Sequence, residues 1–321
     1  MNYIFLMDPL ESVHPEKDTT LALMVGAHRK GHKTFFLPDG GMVLENSSMQ
    51  FNVREVTAQF DQAQPFIDHG VVVLPQTDVH VVFIRTDPPF GEAYLHNTWL
   101  LDLLPLTIPV INNPAGIRTV NEKIWAAQFT SLVPKTMIGR NQKALINFVK
   151  EHQEAIAKPT DSFGGQSVFH LHPQQKNTKV ILETLTRNWT KDIIVQEYVP
   201  AAGDGDKRIL LLDGDPLGAV LRRHAEDDHR NNFFAGGNPL AADISARDRE
   251  IIECLRPELK KLGLYFVGID IIGDYLIEVN VTSPTCLREM NRLYHVQLED
   301  KVIEFSQNLV DQFRAGTKIT R

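Results

Sequence analysis

Two cysteines in 321 residues, Cys254 and Cys286, cannot build the disulfide framework of a small secreted domain and lack the paired spacing of a zinc site. A reducing, cytoplasmic compartment is the expectation that follows. No block of lysine and arginine exists to coat a phosphate backbone. The 33 Lys plus Arg are outnumbered by 40 Asp plus Glu, a formal charge of −7, so no nucleic-acid partner is expected. The opening MNYIFLMDPLE has a short apolar run before Asp8 and Pro9, far below the roughly 20 residues that cross a bilayer. It predicts a first strand and no membrane partner. Neither GxxxxGK[ST] nor GxGxxG occurs, which counts against a P-loop hydrolase and a conventional dinucleotide dehydrogenase.

What is present is a chain of 36.3 kDa, 43% hydrophobic and 23% charged, long enough to divide its core among two or three modules. Residues 1–121 carry 7 basic and 13 acidic side chains, and residues 122–321 carry 26 and 27. Cations that receive an anionic substrate are therefore expected mainly in the second part. The first part alternates strands at 3–7, 33–37, 79–84 and 109–112 with helices at 19–30 and 92–104, an α/β layer over a buried sheet. Asn113-Pro114 marks its exit. Helix is then predicted over 121–130, 142–151 and 180–187, and strand over 134–138, 155–159, 167–171 and 193–199, a small α+β unit. Beyond a hinge at 200–205, Asp213-Gly214 turns a hairpin of 207–212 on 217–222, and residues 224–243 lose periodicity and read as a long active-site loop. A helix at 247–262, a second hairpin of 266–271 and 275–279, and a closing helix at 297–313 complete the chain.

Asp270, Glu278 and Asn280 stand on that second hairpin, and the even spacing of the last two places them on one sheet face. Two carboxylates and an amide oxygen suit a hard divalent cation, magnesium first, with nucleotide phosphates supplying further oxygens. The alternative is a turn aspartate, a solvated glutamate and a capping asparagine. Lys123 and Lys158 can reach phosphate oxygens from separate elements, with backbone amides at Gly164 and Gly165 covering the terminal phosphate, or be surface charges beside an ordinary turn. Glu197, Tyr198 and Val199 end an apolar strand where backbone groups can meet an adenine edge and Glu197 can accept from ribose, or they are polar residues of an edge strand. Asp206, Arg208, Arg223 and Arg230 surround the first hairpin and the long loop. Arginine there suits bidentate carboxylate binding and charge stabilisation in phosphoryl transfer, or a solvated ion-pair network. Arg85 follows the 79–84 strand at the end where α/β sheets place ligands, or is surface charge. His170 and His172 share a strand face without a third ligand nearby, and Cys286 has no identifiable base, so all three read as structural.

In order along the chain, the blocks Met7-Asp8-Pro9, Arg85-Thr-Asp-Pro-Pro-Phe90, Asn121-Glu-Lys123 and Lys158-Pro-Thr-Asp-Ser-Phe-Gly-Gly165 are followed by Gly205-Asp-Lys-Arg208, Val267-Gly-Ile-Asp-Ile-Ile-Gly-Asp274 and Glu278-Val-Asn-Val-Thr-Ser-Pro-Thr285. Together they resemble bacterial glutathione synthetases, within the ATP-grasp ligase superfamily, over essentially the whole chain. The resemblance implies a three-domain ATP-grasp fold, α/β and α+β. Its parts are an amino-terminal preATP-grasp substrate domain (1–121), a central lid domain (122–200) and a carboxy-terminal catalytic domain (201–321). It implies ligation of γ-glutamylcysteine to glycine with ATP converted to ADP and phosphate, Mg2+ as the metal with Mn2+ as a substitute, and a homodimer or homotetramer. By residue matching, Lys123, Lys158, Gly164, Gly165, Glu197, Tyr198, Val199 and Arg230 hold the nucleotide, and Asp270, Glu278 and Asn280 hold the metal. Arg85, Asp206, Ser283 and Thr285 receive the peptide substrate, and Arg208 and Arg223 serve the reacting centre. Two blocks depart from the family. Its Asp-Gly-Met-Gly-Gly is Asp161-Ser-Phe-Gly-Gly165 here, and its Arg-Gly-Asn-Leu-Ala-Ala-Gly-Gly is Arg230-Asn-Asn-Phe-Phe-Ala-Gly-Gly237, a change that bears more on the acceptor or the peptide substrate than on ATP. Alternatives on this fold are a carboxylate–amine ligase with another peptide-like substrate and a degenerate nucleotide-binding regulator or scaffold. Retention of Lys123, Lys158, Asp270, Glu278 and Asn280 favours catalysis.

Overall fold

Alternating apolar residues and β-branched runs sort the chain into three sheets. The computed structural model describes residues 1–223 and 238–316. The first sheet contains β1 (Asn2–Leu6), β2 (Lys33–Leu37), β3 (Met42–Glu45), β4 (Ser48–Ala58), β5 (Phe66–Pro75), β6 (Val81–Ile84) and β7 (Val110–Ile111), flanked by α1 (Thr19–Arg29), α2 (Glu92–Asp102) and α3 (Pro114–Thr119). β1 pairs in parallel with β2 and β6, and β6 with β7, as the strand–helix alternation predicts. No strand is expected from sequence between 38 and 78, yet β3, β4 and β5 extend this sheet antiparallel. Their signal is the alternation in β4, where Met49, Phe51 and Val53 are buried while Gln50 and Arg54 are exposed.

The second sheet, in the order β10-β9-β11-β8, is antiparallel throughout: β8 (Thr136–Gly139), β9 (Ala155–Pro159), β10 (Phe169–Leu171) and β11 (Ile193–Glu197). α4 (Gln142–His152) and α5 (Thr178–Leu185) cover it, and Leu145, Phe148, Val149, Leu182 and Val195 close a core of its own. The helix expected over 121–130 is a short 3-10 turn at Trp125–Gln128 instead. Asn121 Oδ1 accepts from Lys123 N at 3.1 Å and Ile124 N at 2.9 Å, and the Glu122 carbonyl accepts from Val279 N at 2.9 Å, so tertiary and side-chain bonds take the groups a helix would use.

The third sheet has the order β14-β13-β12-β15-β16, from β12 (Asp206–Leu212), β13 (Asp215–Arg223), β14 (Asn238–Ala241), β15 (Phe266–Ile272) and β16 (Tyr275–Asn280). α6 (Ala246–Lys261), α7 (Leu287–Tyr294) and α8 (Leu298–Arg314) accompany it. Two expectations change here. β14 pairs with β13 where the loop was expected to run on to 243, and α7 has no counterpart in the sequence prediction. Residues 224–237 of that expected loop, with Arg230, lie outside the described residues.

Asn112 fastens the first sheet to the third: its amide donates to the Phe266 carbonyl at 2.7 Å and the Val281 carbonyl at 2.8 Å, and its oxygen accepts from Phe266 N at 2.7 Å. α8 returns to the amino terminus, where Arg29 pairs with Glu299 at 2.9 Å and the Tyr3 hydroxyl bonds Ser306 at 3.0 Å. The carboxyl end of β6 thereby meets the segment that follows β16.

Candidate active site

Antiparallel register performs the first assembly. Arg208 on β12 stands opposite Asp270 on β15, and Asp270 stands opposite Glu278 on β16. The two-residue period adds Asn280 to the same face. Glu278 Oε1 lies 3.3 Å from Lys123 Nζ and 3.7 Å from Lys158 Nζ. One carboxylate thus joins the third sheet both to the turn after Asn121 and to β9 of the second sheet. The lysine side chains are 7% and 6% exposed. Burial pushes the Lys158 ammonium below its ordinary value, with Glu278 working against that shift. A buried ammonium whose carboxylate partner stands 3.7 Å away is suited to receive a further anion.

The neighbouring carboxylate is saturated. Arg208 grips Asp270 through Nε and, at 2.8 Å, through Nη2. Arg222 reaches Asp270 Oδ1 at 3.0 Å and holds Asp206 through bonds of 2.6 and 2.7 Å. Asn280 Nδ2 adds a 3.3 Å contact to Asp270 Oδ2. Burial alone would push the Asp270 carboxyl up, but Arg208 and Arg222 outweigh it and hold the group well below the usual range. For Asp206 burial wins over Arg222, and its carboxyl is raised. The chain enters this network through Gly205, at φ 123°, where a Cβ would stand 2.6 Å from the Arg222 carbonyl oxygen, so glycine is required.

Asn280 donates through Nδ2 and so keeps Oδ1 as an acceptor, and the closest approach of both lysines to Glu278 is at Oε1. This hard-oxygen set fits magnesium, with Glu278 and Asn280 as the available ligands and Asp270 as negative charge beside them. For a nucleotide, Gly164 and Gly165 follow β9 with φ of 63° and 72°, a left-handed backbone that bulkier residues resist. Glu197 ends β11, the strand paired with β9, with its carboxylate 45% exposed and 3.9 Å from His152 Nδ1. Tyr198 N donates to the Glu154 carbonyl at 3.1 Å, and Val199 Cγ1 lies close to Gly273 in the β15–β16 turn.

At the carboxyl end of β6, Arg85 is buried. Its Nε donates to Thr20 Oγ1 and its Nη2 to the Pro284 carbonyl, each at 3.0 Å, while Nη1 has no hydrogen-bond partner among the described residues. The Tyr94 hydroxyl is likewise buried without a partner among those residues. Burial holds it above the ordinary tyrosine range, with Glu122 adding to the shift and Arg85 opposing it. Two unsatisfied buried donors that feel each other's field suit an anionic group of a substrate. Ser283 Oγ donates to Asp87 Oδ1 at 2.5 Å, and Thr285 Oγ1 lies 3.8 Å from Cys286 Sγ.

Three participants escape sequence reasoning. Glu122 accepts from Val281 N at 2.8 Å, Thr282 N at 3.0 Å and Thr282 Oγ1 at 2.8 Å, fixing the chain beyond β16. Tyr94 is the second, and Arg222 is the third. Its signal is the hairpin register, which sets it opposite Asp206. Arg223, one residue on, is exposed, and the structure does not bring it into the Asp206–Asp270 network.

Models of the amino-terminal domain and of the ATP-grasp domain of prokaryotic glutathione synthetase match residues 1–118 and 122–295. A glutathione synthetase of Thermosynechococcus vestitus is 40% identical over 313 residues, covering 94% of this chain and 98% of its own. That of Pseudomonas aeruginosa is 37% identical over 301 residues, covering 93% and 95%. Among solved structures, a D-cycloserine synthetase matches with a TM-score of 0.66 at 14% identity, over 97% of this chain and 99% of that one. An ATP-grasp ligase complexed with a precursor variant, Mg and ADP matches with a TM-score of 0.61 at 16% identity, over 95% and 97%. The architecture is therefore the mixed α/β ATP-grasp fold. With both models and relatives of that identity spanning nearly all of it, the chain belongs to the prokaryotic glutathione synthetase family of ATP-grasp ligases, which use ATP and Mg2+ to join a carboxylate to an amine.

Proposed function

We propose that the chain ligates γ-glutamylcysteine to glycine, forming glutathione, ADP and phosphate. The observation that carries the reading is the meeting of Lys123 and Lys158 on Glu278, directly opposite Asp270. Two ammoniums parked on a carboxylate can transfer to phosphate oxygens, and the carboxylate they leave becomes free for a hard cation. The substrate pair follows the name carried by relatives about 40% identical.

In this reading Lys123 and Lys158 hold nucleotide phosphates beneath the Gly164–Gly165 backbone, and Glu197 with the main chain of Tyr198 and Val199 seats adenosine. Arg230 serves the nucleotide side. Glu278 and Asn280 hold magnesium, with the arginine-bound Asp270 as negative charge beside them in place of the third ligand expected from sequence, and the ion when bound neutralises phosphate charge. Arg85, Ser283, Thr285 and Asp206 receive the peptide, and Arg208 serves the reacting centre, with Arg223 assigned there by residue matching alone. The cysteinyl carboxylate attacks the γ-phosphorus and ADP leaves, converting a poor oxide leaving group into phosphate. Glycine's amine then attacks the acyl carbon, the bond to phosphate oxygen breaks, and the nitrogen gives up one proton. The positioned cations stabilise the charge that accumulates in both steps. Mn2+ as a substitute metal, a cytoplasmic location, a homodimer or homotetramer, and domain limits at 121/122 and 200/201 belong to the same reading.

The departures at Asn231, Phe233 and Phe234 favour a second reading, a ligase of this family with a different amine acceptor. One experiment separates the two. Purified protein with Mg2+ and ATP is given γ-glutamylcysteine plus glycine, or alternative donors and acceptors, and the products are weighed by mass spectrometry. Glutathione as the dominant product is expected; another ligated product in its place overturns the assignment.

A further inference from the structure

His170 lies on β10, His172 directly follows its end, and the antiparallel pairing of β10 with β9 supplies what their sequence neighbourhood lacks. Leu171 is registered opposite Ala155 at the end of this ladder, so Glu154, just before β9, and His172, just after β10, flank the same end of the pair. His170 Nε2 lies 3.1 Å from Glu154 Oε2, the two imidazole centroids are 4.5 Å apart, and one ligand atom from each of the three residues lies within 4.8 Å of the others. We infer that Glu154, His170 and His172 form a binding site for a borderline divalent transition ion of the Zn2+ class, at the edge of the second sheet and apart from the Asp270–Glu278 cluster.

The donor set determines the class of ion. Two imidazoles and one carboxylate suit zinc, and the set leaves a fourth position for water, whereas magnesium prefers oxygen ligands and retains its own waters. Tetrahedral bonds of about 2.0–2.1 Å require ligand atoms roughly 3.3 Å apart. The His170–Glu154 pair already meets that spacing, and His172 closes the remainder by side-chain rotation, since all three side chains are at least partly accessible. The backbones beneath them are fixed. The His172 carbonyl accepts from Thr178 Oγ1 at 2.6 Å and Gln175 N at 3.1 Å, the Glu154 carbonyl accepts from Tyr198 N at 3.1 Å, and His170 is held in the β10–β9 ladder. The His170 ring also stacks on Tyr198, with centroids 4.2 Å apart and planes at 25°. An ion here would tie β9, β10 and the segment after β11 together.

The test uses the whole protein in excess Mg2+, which fills hard-oxygen sites. Zn2+ titration against a chromogenic chelator is expected to show one equivalent bound, with affinity falling at least ~10-fold in Glu154→Gln and in His172→Asn. Co2+ in place of Zn2+ is expected to give visible bands of a histidine-ligated ion in the wild type that vanish in His172→Asn. Magnesium-dependent ATP turnover without zinc should be retained in both variants, which reports that they fold. Equal zinc affinity in wild type and both variants, or a wild-type Co2+ spectrum without histidine ligation, overturns the site. The spectrum decides even for a variant that fails to fold.

Discussion

The second and third sheets meet across the Glu278 carboxylate, and they differ in what holds them. The third sheet shares both large cores with the first: Ile209, Val267 and Ile269 enter one, and Leu210, Val220 and Phe266 enter the other. The second sheet closes a separate core, where Leu145, Phe148, Val149 and Leu182 from its helices meet strand residues such as Val195. Charge follows the same division. On the third sheet both Asp270 oxygens carry arginine bonds, whereas Lys158 reaches from the second sheet to Glu278 at 3.7 Å. A sheet anchored in two shared cores presents its charges at set positions, while a body with a private core can bring its lysine to a ligand by moving as a unit. In the proposed ligase the third sheet would serve as a template held by saturation, and the second as a clamp acting through a buried cation left incompletely paired.

Arg208→Met tests the anchored side and should have the largest effect. Removing one partner of a buried ion pair costs about 3–5 kcal/mol, because the remaining carboxylate stays buried with less compensation. Denaturant unfolding should show that loss, and turnover should collapse with it. A variant as stable as the wild type would mean that the network does not fix the sheet. Lys158→Met tests the clamp. Losing one preorganised cation should lower ATP turnover by about 10²–10³-fold, while the melting temperature changes little, since Lys123 remains 3.3 Å from Glu278 and a desolvated charge has been removed. A melting loss as large as that of Arg208→Met would erase the distinction between the two sheets.

Acid provides a smaller and signed test. The folded value of Asp270 lies below its ordinary 3.8, so its contribution to stability is complete above that pH and is lost as pH falls through the folded value. Asp206 is shifted upward, so it takes up its proton more readily in the folded state and works in the opposite direction. Asp270→Asn should therefore flatten the acid loss of stability, and Asp206→Asn should steepen it. Unfolding curves collected below pH 5 check both signs, and a common sign for the two variants would refute the assignment of their shifts.

Local patterns made much of this site legible. Asp270, Glu278 and Asn280 follow from a two-residue period and a tight turn, and Lys158 from the end of an apolar strand. What escaped depends on pairings between distant segments. Arg222 meets Asp206 only through a hairpin whose register shifts between Leu210 and Leu211, an offset that no turn residue announces. Tyr94 and Glu122 acquire their surroundings from three different segments. The helix expected at 121–130 has a plausible local pattern that Asn121 and Glu122 defeat by bonding elsewhere. Glu154 is likewise invisible beside His170 and His172 until β9 and β10 pair.

The finest division lies between two adjacent arginines. Strand geometry sends Arg222 and Arg223 to opposite faces, and the structure shows the outcome: Arg222 is buried between Asp206 and Asp270, while Arg223 is exposed at the end of β13. Arg223→Ala should therefore change stability by no more than about 0.5 kcal/mol, as exposed substitutions generally do. Its activity then reports its chemical role without interference from folding. Reduced kcat with an unchanged melt is the expected result if Arg223 serves the reacting centre. Full turnover would remove it from that role and leave the charge stabilisation to Arg208 and Arg222, whose guanidiniums are already fixed beside Asp270; the clamp would then close on a reacting centre supplied wholly by the saturated network.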